Sequence, residues 1–354
     1  MSGIDTTRAQ GATDDSQLAE DRVLEVSHLK KYFPIEKGLL KRVAGYVRAV
    51  DDVSFYVKKG EILGLVGESG CGKTTTARMI VRALKPTDGS ITIRTPDGVF
   101  ETADIHGEEL KQVRRYVQMV FQDPYASLNP RMRVHEILSE PLINFGYARN
   151  EMKDLVDEFL TLVGLDPKYR NRYPHAFSGG QRQRIGIARA LILRPSLVIA
   201  DEPVSALDVS VQAQILNLLK DLQQKLGLSM VFIAHNLSVI AHICDRIAVM
   251  YLGRVVELAD TNDVFDQPVH PYTRVLISAV PDADPRVPWL DEVPTGEVGD
   301  PSANIPGCPF SPRCKFAEPE CDNGMPPLKI ENIETAGTPH YTACRRSQMF
   351  LQKQ

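Results

Sequence analysis

The 354 residues carry a formal net charge of -4 and 43% hydrophobic content. That is ample apolar matter for a core and no polyelectrolyte signal, so nucleic acid is not the expected partner. No apolar run approaches the roughly 18 to 20 residues of a membrane span, and the polar start does not read as a signal peptide. The chain is therefore expected in the cytosol; if it works at a membrane, other subunits must cross it.

In chain order, residues 1–22 are polar and lack periodicity, the pattern of a disordered tail. Residues 23–26 and 53–57 read as strands flanking a loop over 37–45, and 91–93 supply a further strand. The apolar run 61–66 leads into Gly67, Glu68, Ser69, Gly70, Cys71, Gly72, Lys73, Thr74 and Thr75. Its glycines let the backbone fold tightly with N–H groups turned inward, and a helix opens at about Thr74. Backbone donors, a helix N-terminus and the Lys73 ammonium then converge on one anionic point, which suits a triphosphate such as ATP. The Thr74 hydroxyl is placed for Mg²⁺. At the start of that helix, Cys71 is expected to have a lowered thiol pKa and a packing role.

Beyond Phe121 and Gln122 the pattern turns helical, over 134–144 and 151–163. Ser178 precedes Gly179, Gly180 and Gln181 and a segment with helical apolar spacing at Ile185, Ala188, Leu191 and Ile192. It reads as an N-cap whose helix leaves its first N–H groups free for an anion. The buried-strand run 196–200 ends in Asp201 and Glu202, where one carboxylate can hold Mg²⁺ through water and the other can orient an attacking water. A further strand, 230–234, ends at His235. From about residue 268 proline and glycine become frequent, periodicity fades, and four of the six cysteines appear.

The ordered set resembles the ATP-binding cassette (ABC) ATPases. Phe177 to Gln181 is similar to their signature segment, and Gln122, Asp208 and His235 match the Q-, D- and H-loops. The implied fold class is α/β: a P-loop NTPase with a RecA-like core, an antiparallel β subdomain and a helical subdomain over about 125–190. Residues 23–267 would form this nucleotide-binding domain, and 268–354 an irregular cysteine-containing extension. With one P-loop and one signature segment, the chain would need a second cassette to complete a site.

Several stretches resemble a narrower group, the ATPase subunits of oligopeptide and dipeptide importers: Leu-Lys-Lys-Tyr-Phe-Pro-Ile at 29–35, Met119 through Met132, His-Pro-Tyr-Thr at 270–273, and Gly-Cys-Pro-Phe-Ser-Pro-Arg-Cys at 307–314. The resemblance implies an ATPase that drives peptide uptake, with nickel complexes or other small solutes as the alternative cargo. Its partners would be a second, paralogous ATPase subunit, two transmembrane permease subunits and an extracytoplasmic substrate-binding protein. The chain itself would sit peripherally on the cytoplasmic face of the cell membrane. A soluble ABC protein of another class would usually carry two cassettes or a long coiled coil, and neither is found. The resemblance also implies that Phe33 stacks on adenine, with Tyr32 as the neighbouring candidate. It implies that Glu202, His235 and Gln122 serve catalysis, and that Thr74, Gln122 and Asp201 serve Mg²⁺. Three positions depart from the usual pattern: Phe177 for Leu, Thr74 for Ser, and Asn236 for Asp.

Cys308, Cys314, Cys321 and Cys344 lie in the irregular segment, and such a segment suggests thiolate ligation of a metal because it lacks the apolar area to fold alone. The spacing lacks the Cys-x2-Cys knuckles usual for zinc, whereas a four-iron four-sulfur (4Fe-4S) cluster tolerates varied spacing. The resemblance favours the cluster, since some members of the group carry one here. Zn²⁺ and four uncoordinated thiols are the other readings. Because this segment follows the complete nucleotide motif set, it is expected to matter more for assembly than for the cassette's ATPase.

Overall fold

The computed structural model describes residues 21–38, 41–279, 299–303, 305–331 and 338–351. Its strands are β1 (Arg22–Lys37), β2 (Arg42–Lys58), β3 (Ile62–Val66), β4 (Asp88–Thr95), β5 (Gly98–Glu101), β6 (Val117–Val120), β7 (Leu197–Asp201), β8 (Ser229–Ala234), β9 (Arg246–Tyr251), β10 (Arg254–Asp260), β11 (Lys329–Glu331) and β12 (His340–Thr342). They form two sheets, one of four strands in the order β2-β1-β4-β5 and one of eight in the order β11-β12-β10-β9-β3-β8-β7-β6.

The larger sheet explains the apolar runs in the sequence. Strands β3, β7, β8 and β9 are buried at every position, because one face of this parallel part of the sheet packs on helices and the other on the four-stranded sheet and the helix Lys73–Ile80, which leaves no side of the strand for water. Strand β8 lies between β3 and β7 and runs parallel to both, with Val66 opposite Ala234 and Asp201 opposite Ile233. The chain therefore leaves these three strands at one edge of the sheet, where Gly67, Glu202 and His235 follow. The carboxyl ends of adjacent parallel strands are where open α/β sheets bind ligands.

The smaller sheet is antiparallel and its hairpin is longer than the sequence pattern implied. The loop expected over 37–45 is mostly strand, since Ile35 pairs with Gly45, Glu36 with Val43 and Lys37 with Arg42. Ladder hydrogen bonds hold these residues extended although their side chains carry no regular apolar alternation. The tail expected over residues 1–22 lies outside the described residues up to 20, and Arg22 already opens β1. Between β6 and β7 stand the helices Val134–Asn144, Arg149–Leu162 and Gly179–Leu191, which meet through Leu138, Leu142, Phe159, Leu160 and Ile187.

The segment after 267 is built onto the cassette's own sheet. Strand β12 pairs with β10, and Phe310 joins the same core as Tyr251 and Tyr272. One buried carboxylate fixes this junction. Glu257, in β10 and fully shielded from solvent, accepts hydrogen bonds from the Val269 N–H (2.7 Å), the His270 N–H (2.9 Å) and Nε2 of His340 (2.6 Å). Burial pulls His270 down to about 4, so its ring stays neutral and Nδ1 accepts the Tyr272 N–H at 3.1 Å, capping the helix Pro271–Ser278. Removing the carboxylate would strand three buried donors. Glu257→Ala is expected to lower stability by about 3 kcal/mol or more and to expose residues 329–351 to limited proteolysis; equal denaturation midpoints and equal cleavage would contradict this anchoring role.

Candidate nucleotide site

The phosphate loop is shaped by two close backbone approaches. A Cβ at Gly67 would stand 2.1 Å from the Met250 carbonyl oxygen, and one at Gly72 would stand 2.2 Å from that of Ala49. Both glycines also hold positive φ, 153° and 107°, which a side chain would resist. The loop is thus wedged between β9 and β2, and it turns directly into the helix Lys73–Ile80. Ser69 and Gly70 form its exposed crown, while Thr74 and Thr75 open the helix half-buried. Nζ of Lys73 donates to the carbonyls of Gly67 (2.7 Å) and Glu68 (2.9 Å), so the buried ammonium is aimed into the loop.

Cys71 does not follow the sequence expectation of a lowered pKa. It is 3% exposed, and burial raises its thiol despite Lys73 Nζ at 3.6 Å. Desolvation of the thiolate outweighs the helix N-terminus and the nearby cation.

The structure brings Thr74, Gln122, Asp201, Glu202 and His235 together. The Thr74 hydroxyl donates to Oδ1 of Asp201 at 3.1 Å. Burial pushes the Asp201 carboxyl up, against the pull of Thr74, Arg78 and Lys73. Adjacent Glu202 holds an uncommon backbone φ of 45°, and strain of that kind collects at functional sites. Its Oε2 accepts Nε2 of Gln122 at 2.9 Å and lies 3.4 Å from Nδ1 of His235. Thr74, Gln122 and Asp201 also line a cleft of about 710 Å³ bounded on its other side by Arg189 and Pro141. Hard oxygen donors of this kind suit Mg²⁺.

The signature residues stand apart from this group. Ser178 Oγ accepts the Gln181 N–H at 3.3 Å and the Ser178 N–H returns to Oε1 of Gln181 at 3.1 Å, the reciprocal capping box. Gly179 faces Leu207 and Tyr125, and Gly180 is pressed on Val211, where a Cβ would meet Cγ1 at 2.5 Å. Ser178 and Asp208 are exposed, and their hydrogen bonds stay within their own helix ends. The helix that Ser178 caps does reach the Q-loop: Arg182 lies over the Tyr125 ring at 4.2 Å and Arg189 donates to the Ser127 carbonyl at 2.5 Å.

Of the two aromatic candidates in β1, Phe33 is 38% exposed with Lys31 Nζ 5.2 Å above its ring. The Tyr32 hydroxyl donates to Asp51, and burial together with that bond raises the phenol to about 12. Asp51 also takes Arg254, and its N–H reaches Gly253, whose own N–H donates to the Cys71 carbonyl at 2.9 Å. Tyr32 is thereby tied to the phosphate loop.

Sequence reasoning missed what holds Glu68. Its N–H donates to the Tyr272 hydroxyl at 2.9 Å, and its carboxylate takes both nitrogens of Arg313 at 3.0 and 3.1 Å. Expected as a phosphate donor, Glu68 is instead turned toward the C-terminal segment. No local pattern could have shown this, because the partners lie 204 and 245 residues away.

The four cysteines of that segment lie within electrostatic reach of one another. Burial pushes the thiols of Cys308 to about 11 and Cys344 to about 12, and raises Cys314. The Arg346 N–H donates to Sγ of Cys344 at 3.3 Å. Among the described residues, however, no three His, Cys, Asp or Glu side chains close tightly enough to hold a single metal ion. A zinc tetrahedron with bonds of about 2.3 Å would need its sulfurs roughly 3.8 Å apart.

Comparison with known proteins agrees with this geometry. The ABC transporter family model matches residues 50–205, and the model for the oligopeptide/dipeptide transporter C-terminal region matches 256–321. The oligopeptide transport ATP-binding protein AppF of Bacillus subtilis is 49% identical over 92% of this chain and 97% of its own length. OppF of Salmonella typhimurium, another oligopeptide transport ATP-binding protein, is 49% identical over 87% of this chain and 92% of its own. A solved ATP-binding cassette, a dimer in a post-hydrolysis state with ADP and phosphate, superposes with a TM-score of 0.58 at 30% identity, covering 67% of this chain and 98% of that one. With these relatives matched nearly end to end, both family models in place and Thr74, Gln122, Asp201, Glu202 and His235 gathered at one sheet edge, the chain belongs to the ABC transporter ATP-binding proteins of the oligopeptide/dipeptide group.

Proposed function

We propose that this chain is the ATPase subunit of a binding-protein-dependent importer of oligopeptides or dipeptides, closing with a second cassette on ATP and reopening after hydrolysis. The observation that carries the reading is Glu202, whose carboxylate accepts Gln122 and neighbours His235 while Asp201 beside it accepts Thr74. The relatives named for oligopeptide transport supply the cargo class.

In this reading Lys73 and the N–H groups from Ser69 to Thr75 hold the phosphates. Thr74, Asp201 and Gln122 would hold Mg²⁺, which neutralises charge on the phosphate oxygens. Glu202 orients a water and takes its proton as the new P–O bond forms and ADP departs. His235 donates to the γ-phosphate and Phe33 stacks on adenine. Ser178, Gly179, Gly180, Gln181 and Asp208 face the nucleotide of the other cassette, which suits the exposure of Ser178 and Asp208 and the absence of hydrogen bonds from either to the chain's own phosphate loop. That other cassette would be a paralogous ATPase subunit, and two permease subunits with an extracytoplasmic binding protein would complete the importer. Among the described residues no helix is long and apolar enough to cross a membrane; a peripheral place at the cytoplasmic face follows from reading the chain as a relative of importer ATPases. We take residues 23–267 as the cassette, its helical part at about 125–190, and 268–354 as an extension carrying a 4Fe-4S site. Supporting the cluster are four neighbouring thiols, of which Cys344 accepts the Arg346 N–H at 3.3 Å, since hydrogen bonds to sulfur are one way proteins tune such clusters. Zinc is the alternative.

Three outcomes are expected. Glu202→Gln should still bind MgATP but hydrolyse it on the order of a hundredfold more slowly, and peptide uptake by the assembled importer should stop; wild-type turnover at equal ATP occupancy would remove Glu202 from this role. Phe33→Ala should weaken ATP binding by roughly 1 to 3 kcal/mol, measured by nucleotide titration, whereas a loss confined to Tyr32→Ala would move the adenine platform to the neighbouring ring. Protein purified without oxygen should be brown and contain close to four irons and four sulfides per chain; one zinc and no iron would select the alternative, and no metal would reject both.

A further inference from the structure

We propose that Arg313 is a positioning residue of the nucleotide site, through which the C-terminal cysteine segment holds the first turn of the phosphate loop. The inference rests on reading 67–75 as that loop.

Every polar group of Glu68 is committed to holding shape. Its N–H goes to Tyr272, its carbonyl receives Lys73 Nζ at 2.9 Å and the Cys71 N–H at 3.3 Å, and its carboxylate is gripped by Arg313. The guanidinium is 8% exposed and lies 5.8 Å from the centres of both the Tyr251 and Phe310 rings, with Nη1 also donating to the Tyr251 hydroxyl at 3.3 Å. A two-pronged Arg–carboxylate contact against aromatic walls fixes direction as well as distance. It differs in that respect from the solvent-exposed pairs elsewhere on the chain, which contribute little.

Arg313 itself is set by the cysteine turns. It ends the short 3-10 helix Ser311–Arg313, in which the Ser311 N–H donates to the Cys308 carbonyl at 3.0 Å and the Cys314 N–H to the Ser311 carbonyl at 3.1 Å. A shift of the Cys308–Cys314 turn would carry the guanidinium with it, and with the guanidinium the Glu68 carbonyl that receives the lysine. The extension is therefore part of the nucleotide site, against the sequence expectation that it serves assembly more than the cassette's ATPase.

The test uses the full chain, equilibrium titration with a fluorescent ATP analogue and Mg²⁺, and steady-state hydrolysis. Arg313→Ala should raise the ATP dissociation constant and KM about tenfold, with kcat at saturating ATP within about twofold. Glu68→Gln should cost nearly as much, and the double variant Glu68→Gln/Arg313→Ala no more than the worse single one. Arg313→Lys, which keeps the charge and loses the fork, should recover part of the affinity. Wild-type affinity in Arg313→Ala, or losses that add in the double variant, would overturn the proposal. If Arg313→Ala does not fold, Glu68→Gln decides alone, and unchanged affinity there overturns it equally. Lys73→Ala separates the two readings: it should lose nucleotide whatever Arg313 does, and nucleotide binding retained in Lys73→Ala would reject the phosphate-loop assignment itself.

Discussion

The phosphate loop must pass between two carbonyl oxygens that leave no space for a Cβ at either Gly67 or Gly72. That squeeze is the constraint on which the site depends. It fixes where Lys73 enters its helix and where the ammonium points, and it makes β9 and β2 walls of the site although neither carries a nucleotide motif. Strand β2 belongs to the four-stranded antiparallel sheet and β9 to the eight-stranded mixed one, so the loop also joins the two layers. A loop wedged in this way presents its N–H groups without reorganising, which is how backbone donors become effective toward an anion.

Two further supports converge on the same loop. Asp51 connects Tyr32 and Arg254 to it through Gly253. Tyr272 and Arg313 connect the segment that follows the cassette motifs to Glu68. The aromatic cluster of Tyr251, Tyr272 and Phe310, with ring centres 4.6 to 5.4 Å apart, gives that second support its rigidity, because tilted and edge-on ring contacts of this kind resist sliding. Glu257 holds the same segment from its far side by taking three buried donors at once. The extension is thus fastened at two places, one to the sheet and one to the loop.

The signature helix shows the opposite arrangement. Its N-terminus is capped within itself and open to solvent, while its body reaches the Q-loop through Arg182 and Arg189. One end is open to solvent, and the other contacts Tyr125 and Ser127 in the loop that follows Gln122. A helix N-terminus that opens to solvent attracts an anion, and within this chain the phosphate loop is held elsewhere.

Much of this was legible in the residues alone. The runs 61–66, 196–200 and 230–234 fell almost on β3, β7 and β8, because strands buried on both faces must be apolar throughout. The helix over Val134–Asn144 matched its pattern as well. Local chemistry likewise marked Lys73, Thr74, Asp201, Glu202 and His235, since each ends a strand or opens a helix and needs no distant partner to be recognised. The tertiary structure alone decided the rest. The hairpin β1–β2 replaced an expected loop because pairing, not side-chain alternation, kept it extended. The Cys71 thiol rose because burial is a property of the assembled core. Glu68 left the phosphate set because Arg313, 245 residues away, is brought to it only when β12 docks on β10 and the cysteine turns fold over Tyr251. A sequence determines which groups can attract one another at short range; which distant charge fills a particular buried space is decided only when the whole core closes.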